Sequence, residues 1–445
     1  MTSSRMGSRP ILLTAGSNAK GQLGIGSYDD APTFTPCQFA ECEPNQLPNL
    51  TSRVAHVACG ANHTVLLLEY LDGSTTLWGT GDGRRGQLGL GYPREEADPA
   101  PWTVFHQLVL PPLSIFESYA SCGYTYKCIA AAWETTYVVL ARPGCSDMLL
   151  SMGSNEFGAL GVGEGTGASE LARIAGSPCG EPQVVDFDHV FPVDSGRHTE
   201  PRTICVRSLH AGPRHVLAQL VMASADGPSS HSVLVGWGAS RHGQLGQHGV
   251  IRFVARPTRL PINIDEDPMI SCALGNQHTV VLHESGRISA LGSNRQGQIP
   301  SASSRKCIHR LGCTWNGTYM QTTDGDKLVL LSTGNNAQGQ LGRGYTVEST
   351  SAVDTTVNLP VDRAISSFVC GSEHVLAAMS SSSQEGNSVV GWGWNEHGNM
   401  GLGSLDNIAI PTQLWPREDM EVYNKYPQKV IDIWAGCATS WLLVE

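Results

Sequence analysis

No stretch of this chain approaches the roughly 18 consecutive apolar residues that a membrane-spanning helix needs, so a helical membrane protein is excluded. Nor is a secretory signal expected. Met1 to Pro10 is short and polar and runs straight into Ile11-Leu12-Leu13, with too little apolar sequence between them. Basic charge is scarce: 29 Lys and Arg stand against 40 Asp and Glu, giving a formal charge of −11 and a pI near 5.7. No global field draws in phosphate backbones, and nucleic acid is not expected as a strong direct ligand. Paired metal-binding cysteines are missing as well, since the 13 cysteines include no CxxC. Cys59, Cys122 and Cys370, each just before a Gly, read as small buried strand residues in a reducing compartment. Aromatic residues make up only 7% of the chain, whereas glycine reaches 50 of 445 residues. That balance points away from helical bundles and toward many short strands joined by tight turns.

Self-similarity organises what remains. A first motif runs Gly16-Ser17-Asn18-Ala19-Lys20-Gly21-Gln22-Leu23-Gly24 and recurs from Gly81 to Gly89, Gly153 to Gly161, Gly238 to Gly246, Gly334 to Gly342 and Gly393 to Gly401, with a degraded copy from Gly292 to Ile299. A second motif alternates with it. Its clear copies are Cys59-Gly60-Ala61-Asn62-His63-Thr64, Ala211-Gly212-Pro213-Arg214-His215, Leu274-Gly275-Asn276-Gln277-His278-Thr279 and Cys370-Gly371-Ser372-Glu373-His374, and weaker versions lie near Trp133, Cys313 and Gly436. Each first motif ends a β-rich segment in a turn whose Gly and Asn residues supply left-handed backbone, and each second motif is a turn opening an apolar strand. Seven alternating pairs predict an all-β, seven-bladed propeller with its ring closed by N- and C-terminal strands. The expected organisation is a short disordered N-terminus over 1–10 and a single propeller over 11–445. Its blades fall at about 11–70, 75–141, 147–222, 231–283, 286–322, 327–380 and 388–445, with a long loop insertion at 164–201.

Possible chemistry meets plain alternatives. A phosphate loop needs a helix N-terminus after its glycines, and here strands follow on both sides. His63, His215, His278 and His374 share one repeat position, which scatters them among blades. They read as structural, each hydrogen-bonding its own turn, and not as a metal cluster or general base. No histidine accompanies a nucleophile elbow, so no catalytic residue, metal site or cofactor is expected. The seventh repeat, Gly391-Trp392-Gly393-Trp394-Asn395-Glu396-His397-Gly398-Asn399, carries two tryptophans beside ionisable residues. Inter-blade packing and partner binding are both open readings for them. Candidate partner-binding residues are Trp392, Trp394, Glu396 and His397 with Trp441, and the basic pair Arg84 and Arg85 in the matching turn of the second repeat.

The alternation of these motifs from Leu12 to Val444 resembles the regulator-of-chromosome-condensation repeat, which implies the propeller fold. Within that family, Gly81 to Gly86, Gly371 to His374, Gln384 to Ser388, Gly391 to Asn399 and Gly436 to Trp441 are similar to a fungal killer-toxin-insensitivity branch, also described as α-tubulin suppressors. That resemblance implies a non-enzymatic scaffold paired in a heterodimer with a small CSL-type zinc protein, an electron carrier. The pair would support diphthamide synthesis on elongation factor 2 and Elongator-dependent modification of the tRNA wobble uridine, in the cytoplasm with the nucleus as a second compartment. The alternative is a guanine-nucleotide exchange factor for a Ran-like small GTPase. That role implies a basic N-terminal tail, and Met1 to Pro10 offers only Arg5 and Arg9. A generic adaptor in ubiquitin or trafficking pathways has no accompanying domain to support it.

Overall fold

The structure, a computed structural model, describes residues 9–89, 92, 100–108, 110, 123–163, 181–191, 202–224, 230–247, 251–301, 307–345, 354–361, 363–380, 387–417, 423 and 425–445. The expected disordered N-terminus lies outside them except for Arg9 and Pro10, as do Cys122, Gln384 to Gly386 and most of the 164–201 insertion. Of that insertion, 181–191 is described and holds the strand Gln183–Val185 and one 3-10 turn, Asp188–Val190.

The described strands make seven antiparallel sheets, the blades of a β-propeller. The first joins the two ends of the chain in the order Ala31–Pro36, Ile11–Gly16, Thr439–Val444, Val430–Ala435. Its register sets Leu13 against Leu442 and Thr14 against Trp441, so the N- and C-terminal strands close one blade between them. The second to seventh sheets occupy 51–108, 125–185, 202–259, 269–292, 308–356 and 364–415, and the fifth has three strands where the others have four. These boundaries differ from those read off the repeat. Residues 11–36 and 51–70 fall in different sheets, because each sheet begins with the strand that enters a second motif and ends after the first motif that follows it. The sequence period therefore straddles two blades.

Packing divides the chain into two compact units. One comprises 1–51, 102–106 and 296–445, the other 52–101 and 107–295. In the first, one core gathers Tyr319, Phe368 and Trp392, and another Phe34, Trp415 and Tyr423. The second unit's main core holds Tyr137, Phe187 and Trp237. Trp237, Trp392, Trp415 and Trp441 are all fully buried, and each such aromatic removes about 150–250 Å² from water.

The four repeat histidines are buried, and in three of them, His63, His215 and His374, the ring does not bond its own turn. His63 Nε2 lies 2.9 Å from the hydroxyl of Thr136 in the next blade, and Thr136 donates that hydroxyl's only proton to the carbonyl of Gln87 at 2.8 Å. His63 must then be the donor at Nε2. His215 repeats the relay through Thr279 to the Gln244 carbonyl, at 2.9 Å for each step. His374 reaches Ser440 at 3.1 Å. The bond needed to satisfy a buried ring is thus met across a blade boundary, and the histidines act as staples between blades. Burial lowers the pKa of His63, His278 and His374 to about 4 and of His215 to about 3. The rings therefore stay neutral, as donation to a hydroxyl requires.

Candidate functional site at the turn end of the blades

In every blade one backbone bond joins the two motifs. Ser17, Asp82, Ser154, Ala239, Ser293, Asn335 and Trp394 donate their amides to the carbonyls of Ala438, Asn62, Glu134, Arg214, Gln277, Asn316 and Glu373, at 2.7–2.9 Å. First- and second-motif turns therefore sit side by side at the same end of each sheet. The glycine before each donor, for example Gly393 at φ +109°, packs so tightly that an added Cβ would lie 2.4 Å from the Glu373 carbonyl. Only glycine accommodates both that φ and that approach.

The polar consensus residues are consumed inside the first-motif turn. Asn18, Asn155, Asn336 and Asn395 each accept the amide of the residue five positions on, at 2.8–3.0 Å. Gln22, Gln87, Gln244, Gln298 and Gln340 accept the amide two positions back. What stays free for display is the pair of residues between them. The first of each pair, Ala19, Arg84, Glu156, Arg241, Arg295, Ala337 or Glu396, is exposed in all seven turns.

Three of the expected binding residues share one such turn. Trp394 is half-buried and meets the His397 ring edge-on, with centroids 5.4 Å apart and planes at 89°. His397 Nδ1 lies 2.7 Å from Asp30 Oδ2, and Asp30 Oδ1 accepts the Asn18 amide at 2.7 Å, so the imidazole is held against the neighbouring first-blade turn. Glu396 is exposed beside them. Trp392 and Trp441 must be removed from the site. Both are fully buried, Trp392 with its indole N–H on the Gln340 carbonyl of the preceding blade at 2.8 Å and Trp441 on the Thr439 hydroxyl. Trp237 does the same to the Ala159 carbonyl, which identifies the position as inter-blade packing.

Arg84 and Arg85 belong to the other unit, and their charge is largely spoken for. Arg84 grips both carboxylate oxygens of Asp82 at 2.7–3.1 Å, and Arg85 lies 4.0 Å from Glu134. Free positive charge sits elsewhere. Exposed Arg214 stacks over Phe157 at 5.2 Å and Trp133 at 6.0 Å, and Arg241 and Arg295 flank His242. Partial burial, then these two charges, hold the His242 pKa below its ordinary value. Sequence reading missed this group because Phe157, Arg241 and Arg295 look like noise within a repeat. The signal was their occurrence at the two display positions.

Glu373 in the second-motif turn of blade seven was not singled out either. Its carboxylate accepts from Asn316 at 2.6 Å and Gln340 at 2.9 Å, and burial outweighs these bonds to push its pKa up to about 7. Among the described residues no group of three His, Cys, Asp or Glu side chains is placed to hold a metal. Cys59 and Cys370, expected buried, are only partly so, since each ends its strand at the turn.

Comparison with known proteins agrees with the repeat. The family described as Regulator of chromosome condensation (RCC1) repeat matches residues 11–67, 234–282 and 329–378. A mouse secretion-regulating guanine nucleotide exchange factor is 25% identical over 90% of this chain and 78% of its own length. The ultraviolet-B receptor UVR8 of Arabidopsis thaliana is 25% identical over 90% and 77%, and an RCC1 repeat-containing protein of Schizosaccharomyces pombe 24% over 98% and 99%. Among solved structures, human WBSCR16 superposes with a TM-score of 0.69 at 18% identity, covering 98% of this chain and 99% of that one. Prp20p of Saccharomyces cerevisiae, described with its binding properties to Gsp1p and histones, gives 0.65 at 17%, covering 98% and 92%. Both carry the fold.

Proposed function

We propose that this chain, a propeller built on the RCC1 repeat, is a non-catalytic scaffold that grips a protein partner with the first-motif turn of its seventh blade. One observation carries the reading: a half-exposed tryptophan, Trp394, stands where the other six repeats hold Ser17, Asp82, Ser154, Ala239, Ser293 and Asn335. The turn's own Asn395 and the His397–Asp30 contact make it a rigid anchor. Tryptophan held rigid beside ionisable groups is the composition of binding hot spots. The occupant we favour is a small CSL-type zinc protein, in support of diphthamide synthesis and Elongator-dependent tRNA modification. This identification rests on the resemblance of the Gly371–His374, Gly391–Asn399 and Gly436–Trp441 segments. Isothermal titration of the two proteins tests it: Trp394→Ala with His397→Ala should weaken binding by at least about 2 kcal/mol, and an unchanged affinity would place the interface elsewhere.

A second reading is favoured by the mouse relative, a secretion-regulating guanine nucleotide exchange factor. Under it the partner is a small GTPase. Accelerated release of a labelled guanine nucleotide from a Ran-type GTPase, with no binding of the zinc protein, would select it.

A further inference from the structure

The turns of blades three to five form a connected strip within one compact unit. The Trp133 amide bonds the Pro213 carbonyl at 2.9 Å, tying the second-motif turns of blades three and four together. The Ala239 amide bonds the Arg214 carbonyl at 2.7 Å, tying Arg214 to the turn that displays Arg241. That turn in turn lies close enough to Arg295 of blade five for both arginines to act on His242. Arg214, Arg241 and Arg295 are exposed and make no ion pair among the described residues, in a chain whose net charge is −11. Arg53 and Arg287 of this unit are matched, with Glu69 at 3.1 Å and Asp267 at 3.2 Å, whereas exposed Arg207, Arg252 and Arg256 are, like these three, without an ion pair among the described residues. Arg241 and Arg295 both act on His242, and the carboxylates of Glu134 and Glu156 share a cleft with Arg214 without pairing with it.

We propose that this strip is a docking site for an acidic segment of a protein partner, with carboxylates taken by Arg214, Arg241 and Arg295. The stacked rings fix the Arg214 plane while leaving its N–H edges for a bidentate carboxylate. Phe157 holds its place at a left-handed φ of +59°, a conformation that non-glycine residues rarely adopt. Glu134 and Glu156 border the aromatic end of the strip. They would repel a polyphosphate at that end, whereas a peptide that is acidic on one side and apolar or basic on the other matches the whole strip. The inference goes beyond the reading above and does not rest on it, since none of these residues lies in the unit that holds Trp394.

Fluorescence anisotropy of a labelled glutamate-rich peptide carrying one tryptophan, titrated with the full chain, tests the proposal. Binding is expected to weaken as salt rises, and to weaken at least tenfold in the Arg241→Glu, Arg295→Glu double variant. Arg53→Glu, an equal reversal of an exposed charge on a different part of the unit, should leave it within about twofold. Arg214→Lys keeps charge and loses the stacked fork, and should bind more weakly than wild type. These side chains are exposed, so an unchanged melting temperature will accompany the losses. The proposal is overturned if the double variant binds like wild type, if Arg53→Glu loses as much, or if a single-stranded oligonucleotide of equal charge binds more tightly than the peptide.

Discussion

His63 donates to Thr136 across a blade boundary, and the same hydroxyl passes the bond back to the Gln87 carbonyl of the blade that holds the histidine. The relay is written in the repeat. His63, His215, His278 and His374 are each followed, at the next position of the next repeat, by a hydroxyl residue: Thr136, Thr279, Thr318 and Ser440. Repeats three and six have Thr135 and Gly317 in place of histidine, and the repeats after them carry Val216 and Val375. In six of the seven successive pairs histidine and hydroxyl are kept or dropped together, the exception being Thr439, which is followed by Thr64; a lone buried polar group is costly.

The relay sets an acid limit on stability. Unfolded histidine titrates near 6.5, whereas these four titrate at about 3 to 4 when folded, so between those values the unfolded chain binds more protons. The stabilisation is complete above pH 6.5 and is lost as pH falls toward 4, at about 1.4 kcal/mol per pH unit for each group. Glu373 works the other way, because its raised pKa of about 7 adds stability that is full at low pH and is lost as pH rises from about 4.5 to 7. Four groups outweigh one. Urea midpoints should fall between pH 6.5 and 4.5, and should fall more steeply in Glu373→Gln.

Coupling across the boundary is the second expectation. Thr279→Val removes the acceptor of His215 and leaves the ring's N–H and the Gln244 carbonyl unpaired, for a loss of about 1–3 kcal/mol. In a His215→Ala background much of that cost is already present, so a double-mutant cycle by chemical denaturation should give a coupling of about 1 kcal/mol or more. Additive effects would mean that the two side chains stabilise the blades independently.

Glycine at the motif clamp should be irreplaceable in a way that turn glycines elsewhere are not. Gly393→Ala places a methyl 2.4 Å from the Glu373 carbonyl, whereas Gly73, at a similar positive φ of +79°, has open space around its added methyl. Thermal denaturation should show a loss of about 1 kcal/mol for Gly73→Ala, from backbone strain alone. The loss for Gly393→Ala should be several times larger.

Much of this was legible because a closed repeat leaves few alternatives: seven copies of two alternating turns imply seven sheets, and identical spacing implies a buried role for the shared histidines. What escaped reading depended on contacts between positions far apart in sequence. Nothing near His63 announces Thr136, 73 residues away. Arg84 and Arg85 read as a free basic pair because Asp82 was taken as part of the turn, and not as the partner that Arg84 chelates. Arg214 passed unnoticed because the rings it stacks on, Trp133 and Phe157, lie in the preceding repeat.

The two tryptophans of the seventh repeat, one residue apart, should separate stability from binding. An unbroken strand would send them to the same face, but the strand ends at Gly393, whose φ of +109° redirects the chain before Trp394. Trp392 fills the core with Tyr319, Leu341 and Val357 and holds the Gln340 carbonyl, so Trp392→Ala should cost about 3–5 kcal/mol. Trp394 is tied in mainly by its backbone, through its amide to Glu373 and its carbonyl to Asn399. Its ring touches His397 at a partly open surface, so Trp394→Ala should change stability by less than about 1 kcal/mol while removing most of the affinity for whatever protein the turn binds. Melting curves read beside titrations on the same two variants check this. If Trp394→Ala unfolds the blade as Trp392→Ala does, the ring belongs to the core and the turn is not an anchor.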